Sequence, residues 1–162
     1  MLLCTHHHFD HVWGAAFVLR QWPHIKAYGN RIDFEKLPLP SEQLKGYGIP
    51  LPLEDVPMER YTLVQQDDLI RLGSEELGVL FVPGHAPGHI AFYAGESDIL
   101  LSGDTLLQGT IGRTDFWYGD YDQLVEAIKS QYMTLPDETI VFSGHGPETT
   151  IGFERRKNPF LQ

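Results

Sequence analysis

The sequence predicts one α/β domain whose strands end in residues suited to metal binding. Short apolar runs typical of strands alternate with segments of helical period along the chain. Several of these runs are followed at once by histidine or aspartate. With 162 residues, of which 42% are hydrophobic and 21% charged, the chain can bury one core and falls in the globular range. We therefore expect residues 1–162 to form a single domain.

The first third of the chain alternates strand and helix signals. An apolar run at 1–5 ends in polar residues, which predicts a buried strand. The segment 14–22 is apolar on most faces and stops before a proline, so we expect a helix packed on a sheet. A short strand is expected at 25–28 and helical pieces at 31–45. Recurring proline and glycine over 46–57 predict an irregular connection, either a wall or lid over a site or a plain linker.

The remaining chain is dominated by strand signals around one long helix. Apolar residues recur with helical period from Leu124 to Tyr132, which predicts a helix at 121–132. Elsewhere, turn residues separate apolar runs. These runs predict strands at 68–72, 77–82, 89–93, 99–102 and 139–142.

Polar clusters directly follow the predicted strands. Residues 6–11 follow the first strand, His85 and Asp104 follow middle strands, and His145 follows the last. Strand ends on one edge of a sheet can converge on a point, and rigid strands hold ligands well. We expect these side chains to form one site.

The densest cluster lies at 5–11, with the sequence Thr-His-His-His-Phe-Asp-His. Imidazole is the commonest protein ligand for zinc and similar ions, and carboxylate oxygen binds the same ions. Because one ion needs only three or four ligands, the surplus indicates two ions. The alternative is a remnant of an engineered histidine tag, but a tag would not place Asp10 and His11 in this register.

Composition excludes several classes of function. The net charge is −10 and no lysine and arginine cluster is available to neutralise phosphates, so nucleic acid is not an expected partner. The single cysteine, Cys4, excludes an intramolecular disulfide and fits a reducing cytoplasm. No apolar run has the length of a membrane span. We expect a cytoplasmic protein without a membrane partner.

Four motifs, in this order, resemble the metal-binding signature of the metallo-β-lactamase superfamily. They are the Thr-His-x-His-x-Asp-His pattern at 5–11, Pro-Gly-His-Ala-Pro-Gly-His at 83–89, Ser-Gly-Asp at 102–104 and Gly-His-Gly-Pro at 144–147. Within the superfamily the chain most resembles single-domain, type II glyoxalase-like hydrolases. Those carry a stretch similar to Gly-Thr-Ile-Gly-Arg-Thr-Asp-Phe at 109–116.

The resemblance implies a metallo-β-lactamase αβ/βα sandwich, in which two β-sheets are flanked by helices, and a site for two divalent metal ions. One ion is expected on His6, His8 and His85, and the other on Asp10, His11 and His145, with Asp104 bridging. Zinc is the expected ion, and iron and manganese accept the same ligands.

The reaction implied by the resemblance is hydrolysis of a small thioester such as S-lactoylglutathione, as in hydroxyacylglutathione hydrolase (glyoxalase II). A hydroxide that bridges the ions attacks the carbonyl carbon, and one ion stabilises the developing oxyanion. Asp10 is the expected catalytic residue, which orients this hydroxide or accepts its proton.

Some residues outside the ligand set allow two interpretations. Arg113 contacts a substrate carboxylate or is locked in an ion pair with Asp115. His89 lies beside the metal ligands or simply begins a strand. His7 points away from its neighbours in an extended segment and is structural or exposed. Residues 117–118 line the substrate mouth or pack on the surface.

The chain departs from the family pattern at both ends. Family members have further strands and a helix before the first motif, so we expect the N-terminal strands to be missing and the domain to be incomplete there. A sheet edge exposed in this way favours a homo-oligomer. Two-domain glyoxalase II enzymes also carry a C-terminal helical extension with glutathione contacts, and no counterpart follows Gln162.

Three other functions stay open. Persulfide dioxygenases, which use a single iron, share a Gly-Arg-Thr-Asp-Phe-like stretch, but their last motif resembles Ala-His-Asp rather than Gly-His-Gly. A true β-lactamase is expected to have cysteine at the position of Asp104. The third alternative is an inactive metal-binding fragment of such an enzyme.

Overall fold

The computed structural model describes residues 1–162 and contains two main sheets enclosed by helices. The strands are β1 (Leu2–Leu3), β2 (Ala27–Gly29), β3 (Tyr61–Leu63), β4 (Leu69–Leu72), β5 (Glu75–Phe81), β6 (Ile90–Ala94), β7 (Ile99–Gly103), β8 (Leu106–Leu107), β9 (Thr110–Ile111), β10 (Ile140–Ser143) and β11 (Thr149–Thr150). The helices are α1 (Phe9–Val12), α2 (Ala15–Gln21), α3 (Arg31–Lys36), α4 (Pro40–Gly46), α5 (Tyr121–Gln131) and α6 (Ile151–Lys157).

The two sheets differ in their direction of pairing. The smaller sheet has the order β1-β2-β3 and is parallel throughout, so its strands are joined by helical crossovers. The larger sheet has the order β11-β10-β7-β6-β5-β4. Its only parallel pair is β10 with β7. Strands β8 and β9 form a separate hairpin, which packs against β7 and β10 but pairs with neither main sheet.

Three apolar clusters hold the layers together. The two sheets face each other through a core that combines Leu3 of the smaller sheet with Ile90 and Phe92 of the larger. Helices α5 and α6 cover the outer face of the larger sheet, and α2 covers the outer face of the smaller. Successive side chains of β6 point alternately into the core between the two sheets and into the core under α5 and α6. This is the pattern of a strand buried on both faces. The layers are therefore helix, sheet, sheet, helix.

Strand direction brings the polar clusters to one edge of the larger sheet. Strands β5 and β7 are both antiparallel to β6, so they run the same way, and β10 is parallel to β7. The carboxyl ends of all three therefore lie at the same edge. His85, Asp104 and His145 come shortly after these ends. The expectation that rigid strands deliver these residues to one edge is confirmed.

Most elements lie close to where the sequence predicts them. The helix expected at 14–22 spans Ala15–Gln21, and the helical pieces expected at 31–45 are α3 and α4. The strand expected at 25–28 lies slightly later, at Ala27–Gly29. The helices α1 and α6 and the short strands β3, β8, β9 and β11 were not predicted. Strands of two or three residues show no readable period.

None of the helices has the length and hydrophobicity of a membrane-spanning segment.

Strand β1 pairs only with β2 and forms an edge of the smaller sheet. Association of copies through such an edge stays a prediction, as does the single-domain organisation.

Candidate metal centre

Three buried imidazoles converge on one point at the edge of the larger sheet. His8 Nδ1 lies 3.0 Å from His6 Nε2 and 3.0 Å from His85 Nε2. For a tetrahedral ion with bonds of about 2.0–2.1 Å, neighbouring ligand atoms are about 3.3 Å apart. The three nitrogens are therefore spaced like ligands of one ion.

The outer nitrogen of each ring has a hydrogen-bond partner, which determines which nitrogen faces inwards. His85 Nδ1 donates to the carbonyl oxygen of Arg113 at 2.8 Å, and a carbonyl can only accept. Its Nε2 therefore presents a lone pair to the cluster. His8 Nε2 lies 2.8 Å from the Tyr118 hydroxyl, and His6 Nδ1 lies 3.1 Å from that of Thr5, and both oxygens can accept in the same way. Partners of this kind orient metal-bound histidines.

A second, more open triad lies beside the first. His145 Nε2 is 3.2 Å from both Asp10 Oδ2 and His11 Nε2, and the last two atoms are 3.6 Å apart. The His145 side chain is 56% exposed and that of Asp10 is 40% exposed, in contrast to the buried imidazoles of the first triad. This triad therefore faces the solvent side of the centre.

Asp104 connects the two triads. Its Oδ2 lies 3.4 Å from His11 Nε2, 3.4 Å from His145 Nε2 and 3.7 Å from His85 Nε2. Its Oδ1 is buried and has no hydrogen-bond partner in the protein. A buried carboxylate oxygen without a donor is costly unless a cation satisfies it. The donor set and this orphaned oxygen both fit two metal ions with Asp104 between them.

The buried environment keeps the three imidazoles of the first triad neutral, so that their lone pairs can bind a metal ion. Burial, reinforced by the surrounding imidazoles, holds the pKa of His6 well below its ordinary value. Burial and the neighbouring His85 lower the pKa of His8 to about 3, and burial also lowers the pKa of His85. These rings are neutral at pH 7, which is the form that binds metals.

The second triad has the opposite character because it lies next to carboxylates. Burial opposes the charge on His11, but hydrogen bonding to Asp104 and the charges of Asp104 and Asp10 outweigh burial and raise the pKa of His11. Burial raises the pKa of the Asp104 carboxyl, but the same hydrogen bond and the charges of the neighbouring imidazoles together outweigh burial and lower it. Negative charge is thus concentrated where a cation would bind.

The backbone around Asp104 and a neighbouring histidine fix the position of its carboxylate. The preceding Gly103 has a φ of 55°, in the left-handed region where glycine is favoured. A Cβ at Gly144 would collide with the Asp104 carboxylate and the His11 ring. His89, fully buried, accepts the backbone N–H of Asp104 at 3.1 Å on Nε2. Of the two interpretations of His89, the structure supports the position beside the ligands.

An open cavity of about 550 Å³ lies over the triads. Aromatic side chains form much of its wall, namely Phe9, Tyr47, Phe116, Trp117 and Tyr118. Arg113 also lines it, but its guanidinium is paired with Asp115 at 2.6 and 2.8 Å and lies 4.2 Å from the Phe116 ring centre. Contact of Arg113 with a substrate carboxylate stays a prediction.

Sequence reasoning anticipated some of the residues that support the centre and missed others. Tyr118, expected at the mouth or on the surface, lines the cavity and also contacts His8. His7 is buried against Phe34, so of its two interpretations the structural one is supported. Asp33 was not singled out, because an aspartate in a helix gives no signal of the backbone that it contacts.

A comparison with protein families agrees with this geometry. Residues 2–145 match the model of the metallo-beta-lactamase superfamily. The chain belongs to this superfamily. Its layered sheets and helices have the metallo-β-lactamase fold that the sequence predicts, and membership supports a metal-dependent hydrolase.

Curated members of the superfamily match nearly the whole chain. The chain is 41% identical over 165 residues to hydroxyacylglutathione hydrolase GloC of Haemophilus influenzae, covering 99% of this chain and 75% of the relative. It is 39% identical over 160 residues to the probable metallo-hydrolase YqgX of Bacillus subtilis, covering 99% and 74%.

Two solved structures superpose closely on this chain. The BLEG-1 B3 metallo-beta-lactamase has a TM-score of 0.86 and 35% identity, over 98% of this chain and 75% of that one. TTHA1623, in a di-iron-bound form, has a TM-score of 0.85 and 36% identity, over 98% and 76%.

The histidine-rich site predicts that the metal-free protein loses stability in acid. Burial lowers the pKa of His7 to about 4, and the pKa of His8 is about 3, whereas the unfolded chain protonates histidine near about 6.5. As the pH falls below about 6.5, the unfolded state gains protons that the native state cannot bind, so the free energy of unfolding decreases. Asp33 opposes this trend between about pH 4 and 6, because burial raises its pKa to about 6.

Urea denaturation in excess chelator at pH 7.0, 6.0 and 5.0 measures this effect. We expect a slope of up to about 1.4 kcal/mol per pH unit for each such histidine. Unchanged or greater stability at pH 5.0 would contradict the prediction.

Proposed function

We propose that this protein is a metal-dependent thioester hydrolase that uses two divalent ions, with S-lactoylglutathione as the type substrate. The observation that carries the proposal is the pair of triads that share Asp104 at the floor of an open cavity. His6, His8 and His85 would hold one ion, and Asp10, His11 and His145 would hold the other. The relative named hydroxyacylglutathione hydrolase supports the choice of substrate.

When bound, the two ions would supply a water molecule of lowered pKa and a Lewis acid for the thioester carbonyl oxygen. The neutral imidazoles keep their lone pairs for binding, and Asp104 balances positive charge between the two positions. Asp10 orients the attacking water and accepts its proton. The water oxygen bonds to the carbonyl carbon and the C–S bond breaks, so the products are a carboxylate, a thiol and one proton. A thiolate with a pKa near about 8.5 leaves with little help from an acid.

The identity of the ions is part of the proposal. Histidine and carboxylate ligands in this arrangement suit zinc, and the di-iron form of TTHA1623 makes iron the first alternative, followed by manganese. The buried, unpaired Cys4 suits a reducing compartment, and we propose the cytoplasm.

Turnover of S-D-lactoylglutathione by the metal-loaded protein tests the function. We expect loss of thioester absorbance and release of one thiol per thioester, abolished by chelator and restored by added Zn²⁺ or Fe²⁺. Nitrocefin is the second substrate to test, because BLEG-1 is named as a metallo-beta-lactamase. Cleavage of nitrocefin without thioester hydrolysis would reject the proposal.

Two further outcomes distinguish the remaining alternatives. Oxygen uptake with glutathione persulfide, by protein that holds one iron, would identify a persulfide dioxygenase. Two bound ions without turnover of any of these substrates would identify an inactive metal-binding protein.

A further inference from the structure

Two side chains from the α3–α4 segment hold the backbone on both sides of His8. The Asp33 carboxylate accepts the N–H of His7 at 2.9 Å. The Gln43 amide donates to the carbonyl oxygen of His7 at 2.9 Å and accepts the N–H of Phe9 at 3.2 Å. Side chains therefore satisfy three backbone groups that flank a proposed metal ligand.

This stretch of backbone has no regular structure to hold it. It lies between the end of β1 and the start of α1, in neither a strand nor a helix. The N–H and the carbonyl oxygen of His7 bond to no other backbone group of the protein. Buried backbone groups without hydrogen-bond partners are destabilising, so the loop depends on Asp33 and Gln43 for its conformation.

Asp33 also joins this loop to the one that carries His85. Its second carboxylate oxygen accepts the N–H of Gly88 at 2.5 Å. The approach is so close that a Cβ at Gly88 would collide with Asp33. Asp33 is only 1% exposed. One buried carboxylate therefore connects the two loops that carry the imidazoles of the first triad.

We propose that Asp33 and Gln43 are positioning residues that aim His8 and His85 at the first metal ion. The proposal rests on the two-ion site of the proposed function. Metal–ligand distances tolerate shifts of about 0.2 Å, so a loop that relaxes by more than this loses affinity for the ion. Neither side chain hydrogen-bonds to His11 or to any other ligand of the second ion.

Binding of Co²⁺ to the full chain, measured by competition with a chelator and by visible absorption, tests the proposal. Gln43→Met keeps the length of the side chain but removes its hydrogen bonds. We expect one Co²⁺ to bind about 10-fold to 100-fold more weakly with an altered absorption band, and the other to bind within about twofold of wild type. Lys45→Met, at an exposed position of the same helix, is the matched control and should behave like wild type.

Asp33→Asn provides a second variant in case Gln43→Met fails to fold. It replaces one acceptor oxygen by an NH₂ group, which must then face a backbone N–H, and it should weaken the same ion. Urea denaturation of each metal-free variant checks the fold independently.

Wild-type affinity for both ions in the two variants would overturn the positioning role. An equal loss at both ions, which indicates general destabilisation, would also overturn it. If the wild-type chain binds fewer than two ions, the two-ion site of the proposed function fails first, and the positioning proposal falls with it.

Discussion

We expect Asp104→Asn to lower kcat for the proposed thioester hydrolysis by about 10³-fold and to leave one tightly bound ion in place of two. Asp104 is the residue whose carboxylate oxygen lies within 3.7 Å of ligand nitrogens from both triads. An amide keeps the shape of the side chain but removes its negative charge from between the two proposed cation positions. Removal of several kcal/mol of electrostatic stabilisation corresponds to about three powers of ten in rate.

Metal content by atomic emission and steady-state kinetics with S-D-lactoylglutathione measure this effect together. Asp122→Asn is the matched control, because it removes the same charge from an exposed position in the first turn of α5. A variant of Asp104 that retains two ions and wild-type kcat would show that this residue does not bridge the ions.

We expect Glu154→Ala to lower the free energy of unfolding by about 3 kcal/mol. Glu154 is 0% exposed, and its carboxylate accepts hydrogen bonds from the N–H of Gly109 at 3.0 Å, the hydroxyl of Thr149 at 2.6 Å and the amide of Asn158 at 2.8 Å. Truncation leaves three donors without this acceptor. Each buried donor without a partner lowers the free energy of unfolding by about 1–3 kcal/mol. The loss is partly offset because a buried charge is also removed.

Urea denaturation of the metal-loaded protein at pH 7 measures this difference. Glu126→Ala, at an exposed position of α5, serves as the control and should change stability by less than about 0.5 kcal/mol. Glu154 also tethers Gly109 in the turn of the β8–β9 hairpin, which leads into the cavity wall at Ile111. A stability equal to that of the control would mean that water replaces the carboxylate at little cost.

Much of the site was predictable because ligand chemistry is local in sequence. A histidine or aspartate directly after an apolar run is recognisable without any knowledge of its neighbours, as at residues 6–11 and at His85, Asp104 and His145. The hydrophobic period of α5 and the proline-limited end of α2 are equally local signals. The prediction of one shared edge also held, because β5, β7 and β10 run in the same direction.

The supporting contacts were not predictable because they join residues far apart in the chain. Gln43 contacts His7 across 36 positions, and Tyr118 contacts His8 across 110. An isolated glutamine or tyrosine in the sequence carries no mark of the backbone group or ring that it meets. The short strands of the β8–β9 hairpin were missed for a related reason, since two residues have no period and are stabilised by their surroundings.

The chain itself specifies which donors are present, their order and the strands that carry them, because these follow from side-chain chemistry and hydrophobic pattern. Only the folded structure decides which nitrogen of each imidazole faces inwards, since that depends on partners such as the carbonyl of Arg113. The same holds for the contrast between a buried triad and an open one, and for the orphaned oxygen of Asp104. Burial and hydrogen bonding are properties of packed neighbours, and packing exists only in three dimensions.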